Sequence, residues 1–358
     1  MTSRERFLTA MSLETPDRVP RAVVGLTPMA NETFVKNAGN ADLVDYFKAD
    51  IRGIGYVPTA KKYDYMKYYE RRGLDLEMMT IDEYGVGHIK SRNTNLHYTH
   101  FTSPLKNSTN LNDFIDYPLP DFNEPYRSQN FAKDTTDIHA KGLAVSGHME
   151  MTLFEKAWQI RGFDEFMMDM YENPDIVNCL LDRLFELRVK GAELFAKADV
   201  DVIFLGDDVS MQTGMLMSPE IWRSYFKPRM AKIIETAKRF KPSVHIAYHS
   251  DGNPSEIYDE LLDIGVTILN PIQPECVDPA IVKQKYGNRA AFWGAIGIQH
   301  TLPFGSVEDI RNEVKLRMRT IGKNGGYIIA PTHVIAPEVP WKNLKGLYDA
   351  IDEFGSYV

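Results

Sequence analysis

Apolar and polar positions change rhythm along this 358-residue chain. From Ser3 to Leu13, Phe7, Leu8, Ala10 and Met11 recur at helical spacing behind a Ser cap, and Thr15-Pro16-Asp17-Arg18-Val19-Pro20 halts the run. Arg21 to Gly25 then predicts a first buried strand, and Asp50 to Val57 a weaker second one. Residues 56–135 keep no sustained period. Tyr56, Tyr63, Tyr65, Tyr68 and Tyr69 crowd together beside Lys61, Lys62, Lys67, Arg71 and Arg72, where they read as a lid, a docking surface or a solvated amphipathic helix. Thr80 to Thr102 alternates loosely, as a hairpin or an insertion would.

From residue 142 the pattern becomes regular. Short aliphatic runs ending in polar residues (Gly142 to Gly147, Val200 to Leu205, Val244 to Tyr248, Val266 to Leu269, Ala291 to Ala295, Tyr327 to Ala330) alternate with segments of helical period. Those helices are Asp164 to Ala198, broken at Asn173-Pro174, then Ser218 to Phe240, Pro254 to Ile264, Pro279 to Tyr286 and Val307 to Ile321. Strand and helix in alternation mean parallel βα units. Six late strands and two early ones predict an α/β fold, a single (β/α)8 TIM barrel spanning 1–358, with an N-terminal helix and an insertion around 56–135. The alternative, an open doubly wound sheet, lacks a Gly-x-Gly-x-x-Gly or Walker loop after any strand.

Composition narrows the function. The 44% hydrophobic and 25% charged residues are ordinary for a packed globular chain. Lys plus Arg is 41 against 49 for Asp plus Glu, so the balance of 41 − 49 = −8 has the wrong sign for a protein that grips nucleic-acid backbones. Cys179 and Cys276 are the only cysteines, too few for a disulfide framework or a four-cysteine zinc site. With no signal-type apolar segment and no run near the roughly 18 apolar residues of a membrane span, a soluble cytoplasmic protein is expected.

In a barrel the chemistry sits where the strands end. The tails here are polar: Gly147-His148-Met149-Glu150, Gly206-Asp207-Asp208, His249-Ser250-Asp251-Gly252, Asn270-Pro271-Ile272-Gln273-Pro274-Glu275, Gly294 to Gln299, and Ala330-Pro331-Thr332-His333. Asp207 and Asp208 are adjacent and point to opposite sides, one toward the mouth and one toward an Arg or a loop cap. Asp207, Asp208 and Glu150 are candidate acids or bases, with Glu155 as a further acid that needs a raised pKa to protonate a leaving group. His148, Met211, Asn270 and Gln273 are candidate substrate contacts. Met211, Met215, Met217, Trp222 and Tyr225 could shape an apolar pocket, although core packing is the commoner use of such residues. His88, His97, His100 and His139 have no ligand spacing.

These tails, together with Ser3-Arg-Glu-Arg-Phe7, Thr15-Pro-Asp-Arg-Val-Pro20, Leu269-Asn-Pro-Ile-Gln-Pro274 and Phe292-Trp-Gly294, resemble the uroporphyrinogen decarboxylase superfamily over nearly the whole chain. The resemblance implies a (β/α)8 barrel and either of two activities: porphyrinogen decarboxylation, or methyl transfer by a zinc enzyme to or from a corrinoid (cobalamin) partner protein. It also allows a homodimer. True decarboxylases of the family have an Arg-rich stretch after the first strand that holds the substrate's carboxylates. Here Val23 to Phe34 contains no Arg, which removes those bidentate partners.

The zinc methyltransferases that the chain resembles use a His-x-Cys pair after one strand and a Cys near the C-terminus. The matching positions are His249, Asp251 and His333, and residues i and i+2 of a strand share a face, so His249 and Asp251 can converge on one ion. Two imidazoles and a carboxylate are harder donors than thiolates and suit an oxygen-bearing substrate. The expected reaction is therefore methyl transfer from a small O-methylated donor, such as an aryl methyl ether, to a corrinoid protein. Two readings compete: decarboxylation without metal, and a barrel that only binds a tetrapyrrole or a partner. Asp251-Gly252 is also an ordinary turn and helix-entry signal.

Overall fold

The structure, a computed structural model, describes residues 1–357 except Arg71, Asp75 and 91–98. Arg71 and His97 thus lie outside the described residues, as does the side chain of His100. Seven parallel strands form one sheet in simple chain order: Ile51–Ile54, Ala144–Glu150, Val202–Gly206, His245–His249, Ile268–Asn270, Ala291–Ile296 and Tyr327–Pro331. Their β-branched and aliphatic runs are buried on both faces, as parallel strands covered by helices must be.

The segment expected as the first strand fills the gap between the two sheet edges. Ala22 N donates to Ile329 O at 3.1 Å, Ile329 N to Pro20 O at 2.9 Å, and Asp50 N to Arg21 O at 2.9 Å. It is reduced to parallel bridges at Arg21–Ile329 and Leu26–Ile335 rather than a full strand. Pro20 has no N–H to give a ladder, and Gly25 turns with φ +123°. The interior supports closure. Ala22, Ile51, Ala144, Val202, Phe204, Ala247, Ile268, Ala291, Trp293, Ile328 and Ala330 pack into one cluster to which all eight segments contribute, as the layered filling of a barrel requires.

The N-terminal helix Ser3–Met11 stoppers the lower end by adding Phe7, Ala10 and Met11 to that cluster. Its arginines explain the first two sequence motifs. Fully buried Asp50 accepts from Arg6 Nη1 at 2.7 Å, from Arg18 Nη1 and Nη2 at 2.9 Å each, and from Arg21 N at 2.9 Å. Arg4 reaches Asp201 at 2.9 Å, where His139 and Val145 N also bond. Buried carboxylates this well paired hold the barrel floor.

Helices cover the outside. The break at Asn173-Pro174 separates Phe163–Glu172 from Pro174–Lys197. Ser218–Phe240 divides into Pro219–Tyr225 and Lys227–Phe240 where Pro228 starts a new first turn. Met217, Trp222 and Tyr225 are core residues here. No described helix is long and apolar enough to cross a membrane.

The insertion carries a three-stranded antiparallel sheet of Met79–Ile81, Gly87–Lys90 and Thr99–Thr102. Its crowded tyrosines are not a lid or a solvated helix face. Tyr65 and Tyr69 are buried, and their hydroxyls donate to backbone oxygens of Pro118 at 2.9 Å and Thr102 at 3.0 Å. In a segment with little regular structure, the phenol supplies both apolar bulk and a partner for stray carbonyls.

Candidate metal centre

Alternation along the strands decides which side chains reach the barrel mouth. In His245–His249, Ile246 and Tyr248 pack outward under the helices while Ala247 fills the interior, so His249 is the last inward residue and opens onto the mouth. In the neighbouring strand Phe204 points inward, and the same rhythm carried past Gly206 turns Asp207 out and Asp208 in. A Cβ on Gly206 would sit 2.3 Å from His249 O. Only glycine lets the two strand ends approach so closely.

Asp208 Oδ1 lies 3.7 Å and Asp251 Oδ1 3.8 Å from His249 Nε2, and one ligand atom from each residue falls within a mutual 4.8 Å. Asp208 Oδ1 also accepts from Asp251 N at 2.8 Å, tying the two tails together. Ligand atoms around tetrahedral zinc, at bonds of about 2.1 Å, stand about 3.4 Å apart, so small side-chain movements would close this cluster on an ion.

Two further observations fit a cation. Asp251 Oδ1 is buried and has no hydrogen-bond partner, an expensive state for a carboxylate oxygen unless a positive group faces it. His249 is also held in one tautomer. Asn270 Nδ2 donates to Trp293 O at 3.0 Å, which turns Asn270 Oδ1 onto His249 Nδ1 at 2.6 Å. Nδ1 must therefore carry the proton, and Nε2 is presented to the two carboxylates. Without metal, burial pulls the His249 pKa down, but Asp251, Asp208 and the Asn270 bond overcome it and raise it to about 9. Burial holds Asp251 above the usual carboxylate range against the attraction of His249.

The remaining candidates occupy distinct places. Asp207 is fully buried, and its carboxylate accepts from Leu153 N and Glu155 N at 3.0 Å each, capping helix Phe154–Arg161, whose own N-cap residue Leu153 has no side-chain acceptor. Burial pushes its pKa up to about 7 against the pull of those amides. It works as a brace beneath the mouth. His333 stands outside the cluster, with Nε2 4.0 Å from the other oxygen of Asp251. Beside the expected trio of His249, Asp251 and His333, the geometry thus offers a second one in which Asp208 takes the third position.

His148 spends both ring nitrogens on its own strand, with Nε2 2.8 Å from Ser146 Oγ and Nδ1 2.7 Å from Glu150 Oε1. Burial would raise the Glu150 pKa, but the His148 bond holds it below the usual value, so it stays ionised. Glu155 takes the opposite course. Burial, with repulsion from Asp208 and Asp207, raises it to about 8, and its Oε2 accepts from Asp208 N at 3.0 Å. Both Asn270 amide atoms are engaged, and Gln273 Oε1 accepts from Gly252 N at 3.0 Å. Of the four proposed substrate contacts, Met211, 53% exposed on a short hairpin at the rim, keeps its side chain free.

Neither cysteine joins the cluster. Cys179 lies on the outer helix Pro174–Lys197. Burial and the nearby Glu275 and Asp251 push the Cys276 thiol up to about 11, so it is uncharged at neutral pH. Sequence reading missed the orienting role of Asn270 and the Ser146–His148–Glu150 line, although the strand period alone puts Ser146, His148 and Glu150 on one face.

A sequence model of the uroporphyrinogen decarboxylase (URO-D) family matches residues 151–354, more than half of the chain and the part that holds all three cluster residues. A methylcobamide:CoM methyltransferase, MtaA, of Methanosarcina barkeri is 29% identical over 191 residues, 53% of this chain and 52% of that protein. The match thus spans about half the length of that relative. A uroporphyrinogen decarboxylase of Francisella philomiragia subsp. philomiragia is 23% identical over 304 residues, covering 81% of this chain and 78% of its own. Among solved structures, a methyltransferase from Methanosarcina mazei superposes with a TM-score of 0.68 over 99% of both chains at 22% identity, which shows a common fold. With the barrel, the strand-end motifs and the family match in agreement, the chain belongs to the uroporphyrinogen decarboxylase family.

Proposed function

We propose that the protein is a corrinoid-dependent methyltransferase that takes a methyl group from a small O-methylated donor, such as an aryl methyl ether, and delivers it to the reduced corrinoid of a partner protein. The observation that carries this reading is the Asp208, His249 and Asp251 cluster, supported by the likeness to a methylcobamide methyltransferase. A zinc ion held by these residues would supply a Lewis acid for the ether oxygen.

The chain's own groups suit oxygen better than sulfur. The cluster is one imidazole and two carboxylates, and the nearest thiol is neutral. Asn270 fixes His249, and Asp251 N on Asp208 fixes the carboxylates. Glu155, whose pKa burial and the repulsion of Asp208 and Asp207 raise to about 8 in the metal-free site, lies behind Asp208 as the candidate proton source for the departing oxygen. In the net reaction the C–O bond breaks, the methyl passes without its electron pair to the two-electron-reduced cobalt, and the pair stays on oxygen, which then takes the proton.

The test uses zinc-reconstituted protein, 2-methoxyphenol as donor and free cob(I)alamin as the acceptor in place of the partner's corrinoid. Loss of the cob(I)alamin absorbance with formation of methylcobalamin and catechol is expected, and His249→Ala should abolish it. Decarboxylation of uroporphyrinogen by metal-free protein would overturn the reading.

A further inference from the structure

His333 is a strand-end residue outside the cluster, and it forms one wall of a cleft. The cleft, about 370 Å³, lies between the loops that follow strands Ala291–Ile296 and Tyr327–Pro331. Ile298, Pro303, Phe304, Val334, Ile335, Ala336 and Val339 give it apolar walls, and Gln299, His333 and Glu338 are its polar members. No described Lys or Arg lines it. Phe304 stands at its side 75% exposed, an unusual position for a large aromatic residue. A larger cleft of about 540 Å³, lined by Lys315, Arg319 and Lys323, shares no residue with the cluster or the strand tails. Two of its cations, Lys315 and Arg319, belong to helix Val307–Arg319, and Arg319 ends it, where positive charge offsets the helix dipole.

The geometry points to the His333 cleft as the site for the apolar body of the methyl donor, with His333 meeting the heteroatom that carries the methyl group. This rests on the methyltransferase reading and deepens it by placing the donor's body in this cleft and restricting the donor to an uncharged methyl ether. Three observations support it. The volume falls at the small-molecule end of the range of roughly 300–1,000 Å³ for ligand sites. The walls are apolar and lack any cation for a carboxylate. His333 links cleft and cluster: it lines the cleft, and its Nε2 lies 4.0 Å from Asp251 Oδ2, so a ligand that meets His333 from the cleft stands one side chain away from the cluster's carboxylates. His333 Nδ1 lies 3.3 Å from Val334 O, which steadies the ring with Nε2 toward Asp251.

Binding and turnover are to be measured separately. Isothermal titration with 2-methoxyphenol, and with 3-methoxybenzoate as its charged counterpart, is run on the wild-type protein, on Ala336→Phe, which fills the cleft, and on Phe304→Ala, which removes a wall. Expected are a preference of at least tenfold for the phenol and a tenfold or greater loss of its binding in Ala336→Phe, with zinc content and urea midpoint unchanged. A smaller loss is expected in Phe304→Ala. Equal binding by wild type and Ala336→Phe, or a preference for the benzoate, overturns the assignment. The two readings fail differently. Binding abolished by Ala336→Phe without methyl transfer by the wild type sinks the activity and leaves the cleft. Methyl transfer undiminished in Ala336→Phe sinks the cleft and leaves the activity.

Discussion

Asn270 faces His249 with its amide oxygen 2.6 Å from Nδ1, because its amide nitrogen is already committed to Trp293 O at 3.0 Å. The sequence put Asn270 among the substrate contacts. The structure makes it the residue that decides which nitrogen His249 offers.

Replacing Asn270 by Ala frees the imidazole to rotate and change tautomer. Zinc affinity should fall about 10- to 100-fold, the usual effect of losing a partner that orients a ligand, measured by competition with a chromophoric chelator. Asn270→Asp keeps the acceptor and loses the bond to Trp293, so its loss should be smaller. Unchanged affinity in Asn270→Ala would remove the orienting role.

The two possible ligand sets separate cleanly. His249→Ala and Asp208→Asn should bring bound zinc well below stoichiometric levels by elemental analysis, while His333→Ala keeps about one equivalent. If His333→Ala loses zinc and Asp208→Asn retains it, the third ligand is the one read from the sequence.

Metal-free protein should lose stability as pH rises from 6.5 to 8. Over that window His249 at about 9, Glu155 at about 8 and Asp207 at about 7 all have folded pKa values above their ordinary ones. The folded state therefore binds more protons than the unfolded state, and raising the pH favours unfolding. His245, lowered by burial from 6.5 to about 4, opposes the trend at the lower end of the window, and Lys283, lowered by burial to about 8, opposes it at the upper end; the three raised groups outweigh them between. Urea midpoints at pH 6.5 and 8.0 check the sign. Zinc should flatten the slope, because it takes His249 in its deprotonated form and removes that group's contribution.

Asp207→Ala should destabilise the fold by about 1–3 kcal/mol, since buried amide donors lose their acceptor. Asp207→Asn, which keeps one oxygen, should cost less. Urea unfolding measures both, and the zinc content of the folded fraction should stay at the wild-type level.

Gly252 has φ +84°, and a Cβ there would lie 2.4 Å from Met211 O. Gly252→Ala should cost about 1–3 kcal/mol from backbone strain and weaken zinc binding by shifting its neighbour Asp251. A variant with wild-type urea midpoint and zinc affinity would contradict both effects.

The regular half of the fold was legible because each strand from residue 142 onward is a short buried run and each helix keeps its own period. Strand polarity then placed His249 and Asp251 on one face without any coordinates. The 56–135 region was not legible. Its tyrosines serve a local core through hydroxyl bonds to carbonyls, which leave no period in the sequence.

What the chain determines by itself is local: the order of strands and helices, the polar strand tails, the lack of arginine in Val23 to Phe34, and a pair of cysteines too sparse for a thiolate site. Tertiary structure decided which tails meet. Asp207 and Asp208 are equivalent as letters, but one turns outward to cap a helix 54 residues earlier in the chain and the other turns inward to His249. His333 matched the resemblance, but tertiary structure brings Asp208 as near to His249, at 3.7 Å, as it brings His333 to Asp251, at 4.0 Å, so Asp208 enters as a rival third ligand that spacing along the chain did not offer. Side-chain direction and the separation of strand ends depend on packing across the whole barrel, and no run of residues encodes them locally.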